Sequence, residues 1–170
     1  MGVTKVPFDQ NRYLKKDDPG ACNALVLEWL YNRGMPLLRL RLKGTMKRAV
    51  AVHNRGVASA TFSEYGLIIT NADTFTVQTL DQIEECINSI RSWKEKNFFI
   101  GFSNPASQSG HAIGLISRGS GSVGFDPNNG YYKIEYQRGD GFDEYDWLKK
   151  KTLGARLKHS FTEVLVYGCS

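Results

Sequence analysis

The chain has 170 residues, of which 41% are hydrophobic and 12% aromatic, and at this length one core can bury roughly 70% of the surface of the unfolded chain. We therefore predict a single domain spanning residues 1–170. The net charge of +5 suggests nucleic acid, an acidic protein surface or an anionic membrane as partners. Because the glycine-rich and aromatic motifs of RNA-binding domains are missing, we expect no nucleic-acid partner.

The first predicted element is a helix that begins at Cys22. The segment 17–21 reads as a turn with a helix-start signal, and the apolar positions 25, 26, 29 and 30 then form one buried helical face. A thiol in a first helical turn meets unpaired N–H groups, which favour a thiolate and can stabilise an oxyanion. Cys22 is therefore a candidate nucleophile. The alternative is that it is buried as a small hydrophobic residue.

The next segment has a weaker pattern until a second helix is predicted. Residues 37–66 alternate short apolar stretches with Gly and Ser, which is compatible with short helices. From residue 80 the apolar spacing 80, 83, 87 and 90 predicts a helix, with Thr79 as N-cap and Gln82 completing a capping box. Cys86 lies within this helix and is expected in the core.

The second half of the chain predicts a meander of β-strands. We expect strands near residues 98–103, 111–117, 122–126 and 130–137, a helix over 143–148, and a last strand over 162–167 that closes the sheet. Helices followed by an antiparallel sheet define an α+β fold. In this fold we expect the helix that carries Cys22 to pack across the sheet edge that carries His111. Neither an apolar run of eighteen residues nor a basic-then-apolar N-terminus is present, so we expect no transmembrane helix and no Sec signal peptide.

Two polar residues flank this meander at positions that suit catalysis. His111 opens a strand after a polar turn, and Asp126 ends the following strand fifteen residues later. In an antiparallel pair the two would be neighbours across the ladder. The carboxylate could then fix the imidazole tautomer while the other ring nitrogen faces a thiol. The alternatives are a hydrogen-bonded structural histidine and an aspartate that only forms the turn.

Three motifs together resemble those of a known family. The segment 20–25 with Trp29, the tripeptide 110–112 and the segment 125–130 are similar to the three catalytic boxes of the YopT-like cysteine proteases, a papain-like family of bacterial virulence effectors. The resemblance spans residues from about 20 to 135. It implies a papain-like fold, a catalytic triad and cleavage of a host protein. It also implies synthesis in the bacterial cytoplasm and secretion or translocation into the host cytosol. The triad would consist of Cys22, His111 and Asp126.

One departure from the papain pattern concerns the oxyanion. Papain-like enzymes generally carry a glutamine about six residues before the nucleophile, where this chain has Lys16. We expect the backbone N–H of Cys22 to bind the oxyanion, helped by a nearby side-chain amide. The candidates are Gln10, Asn11 and Asn23.

The remaining reactive and charged residues suggest no cofactor. The three cysteines lack the C-x-x-C spacing of zinc or redox sites, and His53 and His159 are isolated, so we predict neither a metal nor a cofactor. The basic residues are interpreted as solvated faces, although the first stretch could steer an acidic protein or anionic lipid towards the site. These stretches are Arg39 to Arg48, Lys94 with Lys96, and Lys149 to Lys151 with Arg156 and Lys158.

Other functions use the same three residues. A glutamine deamidase or a transglutaminase-like toxin also forms a thioester on a cysteine supported by His and Asp. A peptidoglycan amidase of the Cys-His type is a further enzyme alternative. A protein-binding module with a structural Cys and His is the alternative without catalysis.

Overall fold

The computed structural model describes residues 2–12, 14, 21–34, 48–49, 51, 59–107, 109–119, 121–135 and 141–170. Its elements are, in chain order, β1 (Gly2–Pro7), a 3-10 turn (Gln10–Arg12), α1 (Cys22–Tyr31), α2 (Ser59–Glu64), β2 (Ile69–Thr76), α3 (Leu80–Ser92), β3 (Asn97–Asn104), β4 (Ser109–Ile116), β5 (Ser122–Asp126), β6 (Gly130–Glu135), α4 (Glu144–His159) and β7 (Glu163–Cys169). Several parts of the sequence predictions lie outside the described residues. They are most of the turn predicted over residues 17–21, the residues Lys16 and His53, and the basic stretch from Arg39 up to Lys47.

Seven strands form one antiparallel sheet, in the order β1-β6-β5-β4-β3-β7-β2. The predicted α+β class and the meander from β3 to β6 are confirmed. Two expectations were wrong. β4 is the central strand, so α1 packs on the face of the sheet rather than at an edge, and β7 lies between β3 and β2 instead of closing the sheet. The edges are β1 and β2, which the sequence did not predict.

Helices cover both faces of this sheet. Because side chains alternate along a strand, Ala112 faces α1 and α2, whereas Ile113 faces α3 and α4. Trp29 is the largest side chain buried on the first face, and Trp147 packs on the second. None of the helices in the described part of the chain is long and apolar enough to cross a bilayer.

The two long helices begin at side-chain caps. Thr79 accepts a hydrogen bond from the N–H of Gln82, whose side chain accepts one from the N–H of Thr79, so the predicted capping box of α3 is confirmed. Asp143 caps α4 in the same way, with Asp146 as the reciprocal acceptor. α4 extends to residue 159, well past the predicted end at 148, and so reaches over the strands that carry His111 and Asp126.

Close packing of α1 on the sheet depends on Gly114 of β4. A Cβ at this position would lie 2.6 Å from the indole of Trp29, which is fully buried and cannot move aside easily. We expect Gly114→Ala to lower the free energy of unfolding by about 1–3 kcal/mol, measured by urea denaturation. Gly119→Ala is the control, because no atom of the described residues lies within 4 Å of its Cβ position. Equal stability of both variants would contradict the close packing of α1 on β4.

Candidate active site

Cys22 is the first residue of α1 and is nearly buried, with 6% of its surface exposed. Ala21 at the N-cap provides no side chain to bind the N–H groups of the first turn. The N-cap residue therefore does not give these backbone N–H groups the side-chain acceptor that an N-cap usually provides. The Sγ atom lies 3.8 Å from the Oδ1 atom of Asn23. The N-terminus of α1 thus presents a thiol beside backbone donors.

The imidazole of His111 joins Cys22 to Asp126. Its Nε2 donates a hydrogen bond of 3.0 Å to Oδ1 of Asp126, and the ring also interacts with the thiol of Cys22. Burial lowers the pKa of His111, but the hydrogen bonds and charges of Asp126 and Cys22 outweigh it and raise the pKa to about 9. The ring is therefore protonated at neutral pH. The structure brings the three predicted residues together.

His111 and Asp126 are diagonal neighbours across the β4–β5 ladder. The ladder pairs Gly114 with Phe125, and continuing this register would place Asp126 opposite Ile113. His111 lies two residues further along β4, and their side chains meet diagonally at 3.0 Å. Long side chains can span such a diagonal separation, which is about 7–8 Å.

Asp126 is buried and surrounded by donors. Besides the bond from His111, the carboxylate accepts hydrogen bonds from the backbone N–H of Asn128 at 3.0 Å, from Nδ2 of Asn129 at 2.7 Å and from Nζ of Lys151 at 3.2 Å. Burial alone would raise the pKa of Asp126, but His111, Lys151 and Asn129 outweigh it and hold the pKa well below its ordinary value. The carboxylate of Asp126 is therefore ionised in the folded protein near neutral pH.

Lys151 of α4 contacts Asp126, which the sequence did not reveal. It was interpreted as part of a solvated basic face, yet its side chain is only 22% exposed. Its Nζ donates to the hydroxyl of Tyr132 at 2.7 Å and lies 4.2 Å from the centroid of that ring. The ammonium thus contacts Oδ2 of Asp126, while His111 contacts Oδ1. Three successive lysines give no sign of which one faces the sheet.

Gln10 reaches the site from the N-terminal segment. It is buried, its Oε1 accepts a 2.8 Å hydrogen bond from the N–H of Ala21, and its Nε2 donates at 2.6 Å to Oδ1 of Asn128. Asn11 is exposed and bonded to Asp9. Among the side-chain amides considered as helpers, the geometry favours Gln10, which is adjacent to the start of α1.

The side chain of Asn128 lies between Gln10 and the imidazole of His111. Its Nδ2 is 3.4 Å from Nδ1 of His111, while its Oδ1 accepts from Gln10. The oxygen of this side-chain amide therefore accepts a hydrogen bond from Gln10, and its nitrogen lies beside the imidazole of His111. A substrate amide that reached the same two groups would have to displace Asn128.

The other reactive residues are separate from this site. Cys86 and Cys169 are free and buried, and burial raises the pKa of each thiol to about 12. Within the described ranges, no group of three or more His, Cys, Asp or Glu side chains could hold a metal ion.

The fold matches that of a solved structure. The chain superimposes on the Pseudomonas avirulence protein AvrPphB with a TM-score of 0.67, covering 97% of this chain and 96% of the other, at 17% sequence identity. This chain has the AvrPphB fold. At this identity the match establishes the shared fold. No protein-family model and no curated protein matches the chain.

Proposed function

We propose that the protein is a cysteine endopeptidase. The observation that carries the proposal is the convergence of Cys22, from the N-terminus of α1, with the hydrogen-bonded His111–Asp126 pair of the sheet. A thiol beside an imidazolium that is itself held by a carboxylate is the arrangement that activates a cysteine nucleophile. The AvrPphB fold supports this assignment. We also propose that residues 1–170 form one catalytic domain, because strands from both ends belong to the same sheet.

In the proposed reaction, Sγ of Cys22 attacks the scissile carbonyl carbon as a thiolate. The carbonyl oxygen becomes an oxyanion that accepts a hydrogen bond from the N–H of Cys22. His111 gives its Nδ1 proton to the leaving amine as the C–N bond breaks, which leaves a thioester. His111 then removes a proton from water, which attacks the thioester and releases the acid and Cys22. Asp126 keeps the ring oriented throughout.

Gln10 would supply a second oxyanion donor once the substrate displaces Asn128. We expect Gln10→Glu to lower kcat by about 10- to 100-fold, because glutamate still accepts from Ala21 but cannot donate to an oxyanion. The measurement is kcat and KM on a fluorogenic peptide. Gln82→Glu is the control, since this remote residue can keep its role in the α3 cap. An unchanged kcat in Gln10→Glu would remove Gln10 from the reaction.

Selective alkylation tests the proposed nucleophile without a known substrate. At pH 6 an ordinary thiol is almost fully protonated, so iodoacetamide should modify Cys22 at least about tenfold faster than Cys86 or Cys169. Mass spectrometry of tryptic peptides gives the three rates. His111→Ala should slow only the reaction of Cys22. Three equally slow thiols would favour the protein-binding module over an enzyme.

A glutamine deamidase is the second candidate, and one observation favours it. The side-chain amide of Asn128 lies between Gln10 and His111, so a primary amide of a substrate that displaced it would meet the same two groups. Mass spectrometry of a treated target distinguishes the two reactions. Deamidation adds about one dalton to an intact chain, whereas proteolysis produces two fragments.

The setting of the reaction is proposed from the same similarity. AvrPphB is described as an avirulence protein of Pseudomonas, and we propose that this chain acts as an effector translocated into a host cell, where it cleaves a host protein. Host lysate incubated with the wild-type protein should yield new protein termini that are missing with Cys22→Ala. Identical termini in both samples would contradict the proposal.

A further inference from the structure

The packing of α4 on β5 places Lys151 over the carboxylate of Asp126. Gly124 and Asp126 are two residues apart on β5, so they face the same side of the sheet. Trp147 and Lys151 are four residues apart on α4, so they lie on one side of that helix. The indole of Trp147 lies directly on Gly124, where a Cβ would be only 2.4 Å from the ring. The next turn of α4 therefore brings Lys151 to Asp126.

The two carboxylate oxygens of Asp126 contact two different cations. Oδ1 accepts the hydrogen bond of Nε2 of His111 at 3.0 Å, and Oδ2 accepts that of Nζ of Lys151 at 3.2 Å. The same Nζ donates to the hydroxyl of Tyr132 at 2.7 Å and lies 4.2 Å from the centroid of that ring. The side chain of Asp126 is 5% exposed, so water screens these charges weakly. One negative charge is therefore shared by an imidazolium and an ammonium.

Other titratable side chains also face the pair of His111 and Asp126. They are Cys22 of α1, Tyr132 of β6, Lys5 of β1 beside the ring of Tyr132, and Lys150, Lys158 and His159 of α4, which line the cavity next to the pair. Within the described residues, however, the ion pairs of Asp126 are those with His111 and Lys151. Among the ammonium groups in this part of the chain, Lys151 is thus the one placed to act on the charge of Asp126.

A second cation on the carboxylate weakens its hold on the proton of His111. A neighbouring carboxylate raises the pKa of an imidazole, and a further positive charge on that carboxylate offsets part of the increase. In the proposed reaction His111 gives its proton to the leaving amine, and a proton that is held too tightly slows this step. The charge of Lys151 would therefore act on the rate through Asp126 and the imidazole.

We propose that Lys151 is a positioning residue of the candidate active site. Its ammonium fixes Oδ2 of Asp126 and shares the charge of this carboxylate, which keeps the proton of His111 transferable. The proposal rests on the proposed protease function and adds a residue to its machinery. Lys151→Gln is the informative variant, because its amide can still donate to Asp126 but carries no charge.

Titration of the His111 ring by NMR tests the proposal without a substrate. The Cε1–Hε1 signal, assigned with His111→Gln, is followed against pH in Cys22→Ala and in Cys22→Ala with Lys151→Gln. We expect the pKa of His111 to be higher by about 0.5 to 1 in the second protein, because one of two competing cations is gone. A purely structural ion pair would lower the melting temperature and leave this pKa unchanged. An unchanged or lower pKa would overturn the proposal.

Three further variants separate charge from packing. Lys151→Met keeps the apolar stem that lies on Tyr132 and should raise the pKa of His111 as Lys151→Gln does, whereas Lys151→Arg keeps the charge and should not. Lys149→Gln is the matched control, because Lys149 lies on α4 but pairs with Glu84 of α3, and it should leave the pKa unchanged. Equal shifts in Lys151→Arg and Lys151→Met, or a shift in Lys149→Gln as large as in Lys151→Gln, would overturn the role of Lys151.

Kinetics connect the contact to the reaction. On a fluorogenic peptide, Lys151→Gln should lower kcat about 3- to 30-fold and move the alkaline limb of the pH profile upwards by about 0.5 to 1, opposite in direction to Asp126→Asn. In the Asp126→Asn background, where the shared charge is missing, the same replacement should change kcat by at most about twofold. Equal losses in both backgrounds would overturn the proposal.

The two experiments also distinguish this proposal from the protease proposal. A pKa of His111 that depends on Lys151, without any cleavage by the wild-type protein, would refute the protease but keep the coupling between the two side chains. Cleavage by the wild-type protein, with the same pKa of His111 in the presence and absence of Lys151, would keep the protease and overturn the role of Lys151.

Discussion

Replacing Cys22 with alanine should lower the rate of peptide cleavage by at least about 10³-fold, because no other group at the site can form the thioester. The sulfur lies at the start of α1 beside the imidazolium of His111, while Cys86 and Cys169 are buried elsewhere with raised pKa values. The measurement is the initial rate on a cleaved peptide, with circular dichroism to confirm folding.

Cys86→Ala provides the matched control for Cys22→Ala. This residue is fully buried in α3, so its replacement should lower the melting temperature without changing kcat well below that temperature. If Cys22→Ala turned over substrate at the wild-type rate, the cysteine protease proposal would be wrong.

Asp126→Asn should lower kcat by about 10²- to 10⁴-fold. The amide no longer balances the imidazolium of His111, and it can hold the ring in the wrong tautomer. It also leaves Lys151, whose side chain is largely buried, without its carboxylate partner. Asp73→Asn, an exposed carboxylate on the edge strand β2, is the control that should change neither kcat nor stability appreciably. A wild-type kcat in Asp126→Asn would reduce Asp126 to a turn former.

The pH dependence of Asp126→Asn follows from the same contacts. Wild-type activity should fall as the pH rises through about 9, where His111 loses its proton. In Asp126→Asn the pKa of His111 should fall towards its ordinary value of about 6.5, which moves the alkaline limb to lower pH. An alkaline limb that does not move would show that Asp126 does not set the charge of the ring.

The free energy of unfolding should depend on pH through both pKa shifts, in opposite directions for His111 and Asp126. The pKa of His111 is raised on folding, so its contribution is full below about pH 6.5 and is lost as the pH rises through about 9. The pKa of Asp126 is lowered, so its contribution is full above about pH 4 and is lost as the pH falls through the lowered value. Urea denaturation should therefore show the largest difference between wild type and Asp126→Asn from about pH 4 to 6.5.

The sequence predicted the elements that bury an apolar face and missed those that do not. β3 to β6 and α3 show the period of two or of 3.6 residues because one side of each is buried. β1 and β2 are edge strands with mostly exposed side chains, so their sequences read as loops. α4 was predicted too short because Gly154 and several lysines interrupt its apolar pattern.

The candidate site was predicted to the extent that its residues stand at recognisable element ends. Cys22 at a helix start and Asp126 at a strand end carry local signals, as does His111 near the beginning of its strand. Lys151 carries none, and Gln10 was named only as one of three nearby amides, because both make their contacts with residues distant in the sequence. Gln10 meets Asn128 across a separation of 118 residues. The pairing of β1 with β6, continued by a hydrogen bond from the N–H of Gln10 to the carbonyl oxygen of Pro127, brings them together.

That pairing has a consequence for the order in which the protein becomes active during translation. The thiol leaves the ribosome early, but the ring, the carboxylate and the bracing ammonium of Lys151 follow more than eighty residues later. β1 has no partner until β6 has been made. A nascent or truncated chain that ends before Lys151 therefore carries the cysteine without the groups that would activate it.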